Sequence, residues 1–368
     1  MERIRDEGPL SFETFMDMAL YYPGLGYYMS PDVRIGKEGD YYTTPHVHSF
    51  FGAALARQIE QMWKLLGSPQ QFTIVEVGPG RGFLSLDILT SLMTKPIFSA
   101  LEYKLVELNP FMKKIQKHVL KEFDLLTQWY DNLTDIPPFK GCIIAHEVID
   151  SFPVRVVEQE EEEEANGKRM TEIYVTQEQG ELREMRQPAA RDIIEYFSER
   201  NLRLPGNYRT EVNFRLHKWL SNAASALSEG FLIIIDYGYT LQDYYAPERN
   251  KGTFICYFQH QLCYNPFERI GEQDMTCHVN FYDLKRWGNN AGLIPVGFCS
   301  QARFLIALGI DKMISGLDKN RADYFREIGR VKNLLLDTGQ SHYVMALVKG
   351  RSSFELRGFS VRNQINSI

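Results

Sequence analysis

Residues Ile74-Val75-Glu76-Val77-Gly78-Pro79-Gly80-Arg81-Gly82-Phe83-Leu84 constrain this chain more than any other stretch. A short apolar, β-branched run leads into three glycines at alternate positions, and a helical pattern follows with Phe83, Leu84, Leu86, Ile88, Leu89 and Leu92. Strand, tight glycine turn and helix open a nucleotide-type α/β domain. Glycine lets the backbone bend sharply toward a ligand, and a helix N-terminus offers N–H groups to an anion. The spacing is G-x-G-x-G and not the G-x-G-x-x-G of dinucleotide enzymes, which argues against a nicotinamide oxidoreductase. Glu76 sets a carboxylate at the strand's end, close to where a ligand ammonium would sit. A ligand with both ammonium and carboxylate fits this better than a pyrophosphate, and S-adenosylmethionine is such a ligand.

The next elements extend the pattern. Tyr103-Lys104-Leu105-Val106 reads as a second strand ending on Glu107, with Asn109-Pro110 opening the following helix. An acidic residue there, about 25 positions past the last glycine, is placed to grip a ribose diol through both hydroxyls. Asp131-Asn132 follow a third strand, where an adenine-binding loop would lie. Cys142-Ile143-Ile144-Ala145 reads as a buried strand that runs into His146-Glu147-Val148-Ile149-Asp150-Ser151-Phe152-Pro153. Ligands of open α/β sheets sit beyond the carboxyl ends of strands, so Glu147 and Asp150 are the candidates for substrate contact. The histidine–acid pair lacks a second histidine at helical spacing, so no metal site is expected.

Composition narrows the function classes. The 368 residues suffice for one large α/β domain with insertions, or for two domains. A net charge of −6 speaks against nucleic acid as the main partner. The five cysteines are scattered, without a C-x-x-C pair, and read as reduced thiols in a cytosol-like compartment. No apolar stretch approaches the ~20 residues that span a bilayer. The first nine residues are mixed in charge and resemble neither a signal nor a transit peptide. A soluble cytoplasmic protein is the expectation, with no membrane partner. Its oligomeric state is left open.

Read in order, residues 1–70 form an N-terminal helical cap with a Tyr/Gly-rich loop at residues 21–45. Ser11 caps a first helix, and a longer helix carries Phe50, Phe51, Ala54, Leu55, Ile59, Met62 and Trp63 on one face. Residues 71–350 form the cofactor-binding domain, with insertions at about 154–228 and 240–279. Within the first insertion, strands at 154–158 and 172–176 are expected to form a hairpin about Asn166-Gly167, with the acidic run Glu158–Glu164 as a solvated tip. Residues 211–227 read as a helix, and residues 240–279 as an irregular substrate-side insertion. Phe231-Leu232-Ile233-Ile234-Ile235 reads as a central strand covered on both faces. A polar tail, residues 351–368, is expected to fray. Alternating strands and helices indicate a doubly wound sheet.

Over nearly its whole length the sequence resembles the MidA-like methyltransferases, a family that includes a mitochondrial complex I assembly-factor arginine methyltransferase. The likeness rests on Tyr22-Pro23-x-x-Gly26-Tyr27-Tyr28, Gly39-Asp40-Tyr41-Tyr42-Thr43-Thr44-Pro45, the glycine loop, Val106-Glu107-x-Asn109-Pro110 and Glu147-x-x-Asp150-Ser151-Phe152-Pro153. Asp236-Tyr237-Gly238, Gly252-Thr253 and Asp274-x-Thr276 continue it. His146 stands where members carry Asn, and His46 where an acidic residue is frequent. The resemblance implies a class I (Rossmann-like) seven-strand methyltransferase sheet binding S-adenosylmethionine. It also implies a protein substrate presenting arginine, with a respiratory complex I subunit as the candidate. Glu76, Gly78, Gly80, Gly82, Glu107 and Asn109 would then bind the cofactor, and Glu147 and Asp150 would orient the guanidinium. The alternatives are a non-catalytic assembly protein on the same fold and a small-molecule methyltransferase.

Overall fold

The computed structural model describes residues 1–31, 48–161, 170–336, 341–350 and 354–368. The chain forms two compact units: residues 31–149, 218–238 and 279–368 make the larger, and residues 1–30, 150–217 and 239–278 the smaller. Strands are numbered β1 to β16 along the whole chain.

The larger unit is built on a mixed sheet. β2 (Phe72–Val77), β3 (Leu101–Val106), β4 (Thr127–Tyr130) and β5 (Phe139–His146) are parallel, and β10 (Leu227–Tyr239) runs parallel to β5. β16 (His342–Lys349) is antiparallel to both β10 and β15 (Ile294–Ser300). The order is β15-β16-β10-β5-β2-β3-β4, with the two-residue β14 (Val279–Asn280) added beside β10. All of β2 is buried, as is Phe231 to Ile235 of β10, which is why these strands read as unbroken apolar runs. From β2 the chain steps outward through β3 to β4, then returns across β2 to lay down β5. That reversal makes the carboxyl ends of β2 and β5 the topological switch point, the place where α/β sheets take ligands.

The helix Phe50–Leu65 joins the same core through Phe51, Ala54, Leu55, Ile59 and Met62. It lies against the helix Phe83–Leu92 so closely that a Cβ on Gly52 would come within 2.4 Å of the Asp87 Cβ. The tail is not frayed across residues 354–368. Leu356 and Phe359 are buried in the core, and the Gly358 N–H donates to Gln58 Oε1 at 2.8 Å. Its polar composition hid two apolar anchors spaced to reach a waiting surface.

In the smaller unit, β1 (Leu10–Ser11), β7 (Met170–Glu178), β6 (Arg155–Gln159) and β9 (Tyr208–Val212) form a sheet in that order, and β8 (Glu181–Pro188) pairs with β7. The expected β6–β7 pairing is present, while Asn166-Gly167 lies outside the described residues. β8 is too polar to have signalled itself. Glu211 belongs to β9 and not to a helix; the helix starts at Arg215 because Asn213 Oδ1 accepts the Leu216 N–H and caps it. The acidic run does not begin as a solvated tip, since Glu158 pairs with Arg186 at 2.6 Å and Arg209 at 2.8 Å. Its residues 162–164 lie outside the described residues, as do residues 32–45 of the Tyr/Gly-rich loop and His46. The stretch expected to be irregular holds a three-stranded sheet, β12 (Gln261–Cys263)-β11 (Ile255–Phe258)-β13 (Asp274–Thr276). Ser11 caps the helix Phe12–Tyr21, its Oγ accepting the Thr14 N–H. Among the described residues no helix is long and apolar enough to cross a membrane.

Candidate functional site

The glycine loop leaves β2 with three residues in the left-handed region: Gly78 at φ +62°, Gly80 at +53° and Gly82 at +84°. Side chains are strained there, so this path needs glycine. The Gly78 N–H donates to the Val106 carbonyl at 3.0 Å, anchoring the loop to β3. A Cβ on Gly78 would also meet Val148 Cγ2 at 3.0 Å. Gly82 serves as N-cap of the helix Phe83–Leu92 and supplies no side-chain acceptor to its first N–H groups. A loop of this shape, running into such a helix start, fits a ligand carboxylate.

Glu76 is buried near the end of β2. Its Oε2 accepts both the Ser85 and the Tyr103 hydroxyls at 2.5 Å, whereas Oε1 accepts no hydrogen bond among the described residues. Burial raises its carboxyl from 4.5 to about 7, against the opposing pull of those two hydroxyls. One oxygen is braced by two hydroxyls and the other is not.

Glu107 closes β3. Its Oε1 accepts the Asn109 N–H at 2.8 Å and its Oε2 accepts Gln116 Nε2 at 2.8 Å. Burial pushes its carboxyl above the usual range. Asn109 faces the helix Pro110–Val119, its Oδ1 accepting the Phe111 and Met112 N–H groups as an N-cap. Gln116 was not singled out in the sequence. It also donates to the Gly80 carbonyl at 2.7 Å and accepts from Trp129 Nε1 at 2.9 Å, joining loop, β3 and β4. The available signal was a glutamine one helical turn past Met112, on the apolar stripe. Asp131, beyond β4, is ion-paired with Lys113.

At the end of β5 the chain turns sharply. Glu147 has φ +50°, an uncommon conformation for a side-chain-bearing residue. Its N–H donates to the Ile235 carbonyl at 2.8 Å, while Asp236 Oδ2 accepts the Val148 and Ile149 N–H groups at 3.3 and 3.0 Å. The Glu147 carboxylate lies between two imidazoles: His146 Nε2 is 3.5 Å from Oε1 and His342 Nε2 is 3.3 Å from it. Asp236 and His342 are further residues that the sequence did not mark as part of a site. His342 gave no signal, being the first residue of an apolar strand. Asp150 lies three positions past Glu147 but in the smaller unit. There it is buried, its carbonyl accepts the Cys277 N–H at 2.8 Å, and its charge acts on Tyr21.

A family model for S-adenosyl-L-methionine-dependent methyltransferases matches residues 54–299. A mitochondrial protein arginine methyltransferase of Danio rerio, NDUFAF7, is 28% identical over 345 residues, covering 84% of this chain and 75% of its own length. Its Drosophila melanogaster homolog is 27% identical over 309 residues, covering 76% of this chain, which spans 66% of that relative. A Burkholderia thailandensis protein described as a methyl transferase, solved with S-adenosyl-homocysteine bound, matches with a TM-score of 0.90 at 27% identity, covering 100% of this chain and 94% of its own.

These likenesses correct one expectation. The curated relatives are named as mitochondrial, which overturns the cytoplasmic reading. That reading leaned on the mixed charge of the first residues and on the scattered cysteines. Glu2–Glu7 is in fact a helix with Ile4 buried, so those charges belong to a folded element.

Proposed function

Since the chain belongs to the MidA-like family of S-adenosylmethionine-dependent methyltransferases, we propose that its methyl acceptor is an arginine guanidinium on a protein substrate. When bound, S-adenosylmethionine supplies an electrophilic methyl group on a sulfonium. The glycine loop, Gly78, Gly80 and Gly82, receives the methionine carboxylate, and Glu76 Oε1 meets its ammonium. Glu107 accepts from the ribose hydroxyls, while Asn109 holds the helix beneath it and Gln116 keeps Glu107 and the loop in register.

The observation that carries the acceptor assignment is Glu147, a carboxylate held in left-handed backbone at the end of β5 with two imidazoles at its Oε1. A guanidinium presents five donors in a fixed fork and keeps its charge, so a carboxylate orients it and localises that charge. Glu147 takes this part. Orientation is most of the task, since the methylated product remains a cation and its surplus proton leaves after transfer. Relatives 26–28% identical are named protein arginine methyltransferases, which supports the same reading. A respiratory complex I subunit is the first acceptor to try.

The test is transfer of labelled methyl from S-adenosylmethionine to arginine-containing proteins and peptides, followed by amino-acid analysis. Methylarginine is expected, lost in Glu147→Gln with S-adenosyl-homocysteine affinity unchanged. Label appearing only in a small molecule or another residue, or equal loss of transfer and binding in the variant, overturns the assignment.

A further inference from the structure

Three of the five cysteines, scattered in the sequence, belong to or directly follow strands of the small sheet β12-β11-β13. Cys256 is on β11, Cys263 ends β12 and Cys277 directly follows β13. The β11–β12 connection is two residues long, Gln259 at φ +49° and His260 at φ +61°. Two successive left-handed residues make the turn type whose twist matches antiparallel strands, and it fixes the register. Phe258 pairs with Gln261, Tyr257 with Leu262, and Cys256 with Cys263.

Residues directly opposite in an antiparallel pair point to the same face, with Cα atoms roughly 4.5–5.5 Å apart. Disulfides span Cα separations of about 4.4–6.8 Å, so this register sets the two cysteines opposite each other at a spacing a disulfide can bridge. Their environments differ. Cys256 is fully buried, and burial pushes its thiol up, with the Cys263 charge adding to the effect. Cys263 is half-buried on the outer strand of the hairpin, with Arg269 Nη1 4.0 Å from its Sγ.

We propose that Cys256 and Cys263 form a cross-strand dithiol that a small-molecule disulfide oxidises to an intramolecular disulfide. The Cys263 thiolate, the one that solvent reaches, attacks one sulfur of the oxidant and expels the other half as a thiolate. The Cys256 thiol then attacks Cys263 Sγ, its proton passing to the second half as that half departs. One S–S bond is broken and one formed, and two electrons pass to the oxidant, which leaves as two thiols. The product clamps the β11–β12 hairpin. The same β11 pairs on its other edge with β13, whose Asp274 accepts the Tyr28 hydroxyl at 2.7 Å, so the clamp stiffens the strand that holds this contact.

Both cysteines fall in a single tryptic peptide, residues 252–269, because no Lys or Arg lies between Lys251 and Arg269. The folded full-length protein is equilibrated with oxidised glutathione, unfolded in an alkylating agent, digested and weighed. The expected result is this peptide lighter by two hydrogens and without alkyl groups, before Cys142, Cys277 or Cys299 is modified. Cys277→Ser is expected to close the same bond, and Cys263→Ser to leave Cys256 fully alkylated. A doubly alkylated peptide, a stable glutathione adduct on Cys263 with Cys256 alkylated, or a bond to Cys277 instead would overturn the proposal.

Discussion

Gln116 Nε2 donates to Glu107 Oε2 at 2.8 Å and to the Gly80 carbonyl at 2.7 Å, so one buried amide fixes the strand-end carboxylate and the glycine loop together. Trp129 Nε1 donates to the same amide's oxygen, which settles which end is nitrogen. Gln116→Met keeps the volume and removes all three bonds. Hydrogen bonds to a charged partner contribute about 1.5–3 kcal/mol, which converts to a roughly 10–100-fold loss of affinity. Calorimetric titration with S-adenosyl-homocysteine measures it, and unchanged affinity would show that the loop and Glu107 hold their places unaided.

Gly80 sits at φ +53° in the middle of the loop. A β-branched side chain is excluded from that region more strongly than alanine, and an alanine there costs roughly 1–2 kcal/mol. Gly80→Val is expected to abolish cofactor binding and Gly80→Ala to weaken it. Because the strain falls on a loop outside the core, both variants keep a cooperative thermal transition. Binding of wild-type strength in the valine variant would rule out the left-handed loop as the cofactor's cradle.

Burial raises the Glu76 carboxyl from 4.5 to about 7, so folding takes up a proton between those values. The stability this group contributes is full below about pH 4.5 and is lost as pH rises through about 7. At 1.36 kcal/mol per unit the loss amounts to about 3 kcal/mol. Glu76→Gln removes the titration, so its melting temperature should climb relative to wild type from pH 5 to pH 8. A ligand ammonium beside Oε1 favours the carboxylate, so S-adenosylmethionine binding near pH 6.5 should release protons. That release shows as a binding enthalpy that changes with the buffer's own ionisation heat. Parallel melting curves and a buffer-independent enthalpy would remove both the raised carboxyl and its partner.

What the sequence revealed and what it withheld divide along a physical line. The places of Glu76, the three glycines, Glu107 and Glu147 in the fold were legible because they follow from local rules: a strand's end, a tight turn, a helix start. The central strand at Phe231–Ile235 was legible because burial on both faces leaves an unbroken apolar run. Which partners Gln116, Asp236 and His342 meet depends on which strands lie side by side, and nothing in their own neighbourhoods records that. β8 escaped because a polar edge strand has no alternation to betray it. The Cys256–Cys263 pairing needed the register of a hairpin turned at Gln259-His260, which carries no glycine signal.

His342 reaches Glu147 from β16, its Nε2 3.3 Å from Oε1, and its ring packs edge-on against Tyr237 at 5.6 Å. If the imidazole holds the carboxylate for the acceptor, His342→Ala should lower kcat by roughly 10-fold or more, the worth of one charge-assisted bond. Cofactor affinity should stay unchanged. Gln places an N–H donor near the position of Nε2, so His342→Gln should recover most of the rate. Alanine and glutamine variants of equal activity would assign His342 to packing alone.

Gly252 carries the last prediction, in the smaller unit. Glu211 is buried in β9, and its carboxylate accepts the Thr253 N–H at 2.9 Å, the Thr253 hydroxyl at 3.0 Å and the Phe254 N–H at 3.3 Å. Burial raises its carboxyl above the usual range, and these bonds oppose the rise. Gly252 approaches so closely, at φ +81°, that a Cβ would stand 2.0 Å from Glu211 Oε1. Gly252→Ala therefore adds backbone strain and displaces a buried carboxylate from its donors, which together cost about 2–4 kcal/mol. The expected result is a lower melting temperature with the Thr253–Phe254 turn exposed to amide exchange. S-adenosyl-homocysteine affinity should hold, because the glycine loop and Glu107 belong to the larger unit. A variant as stable as wild type would mean that the Glu211 carboxylate moves aside without penalty, and the tight approach would then not be what requires glycine at this position.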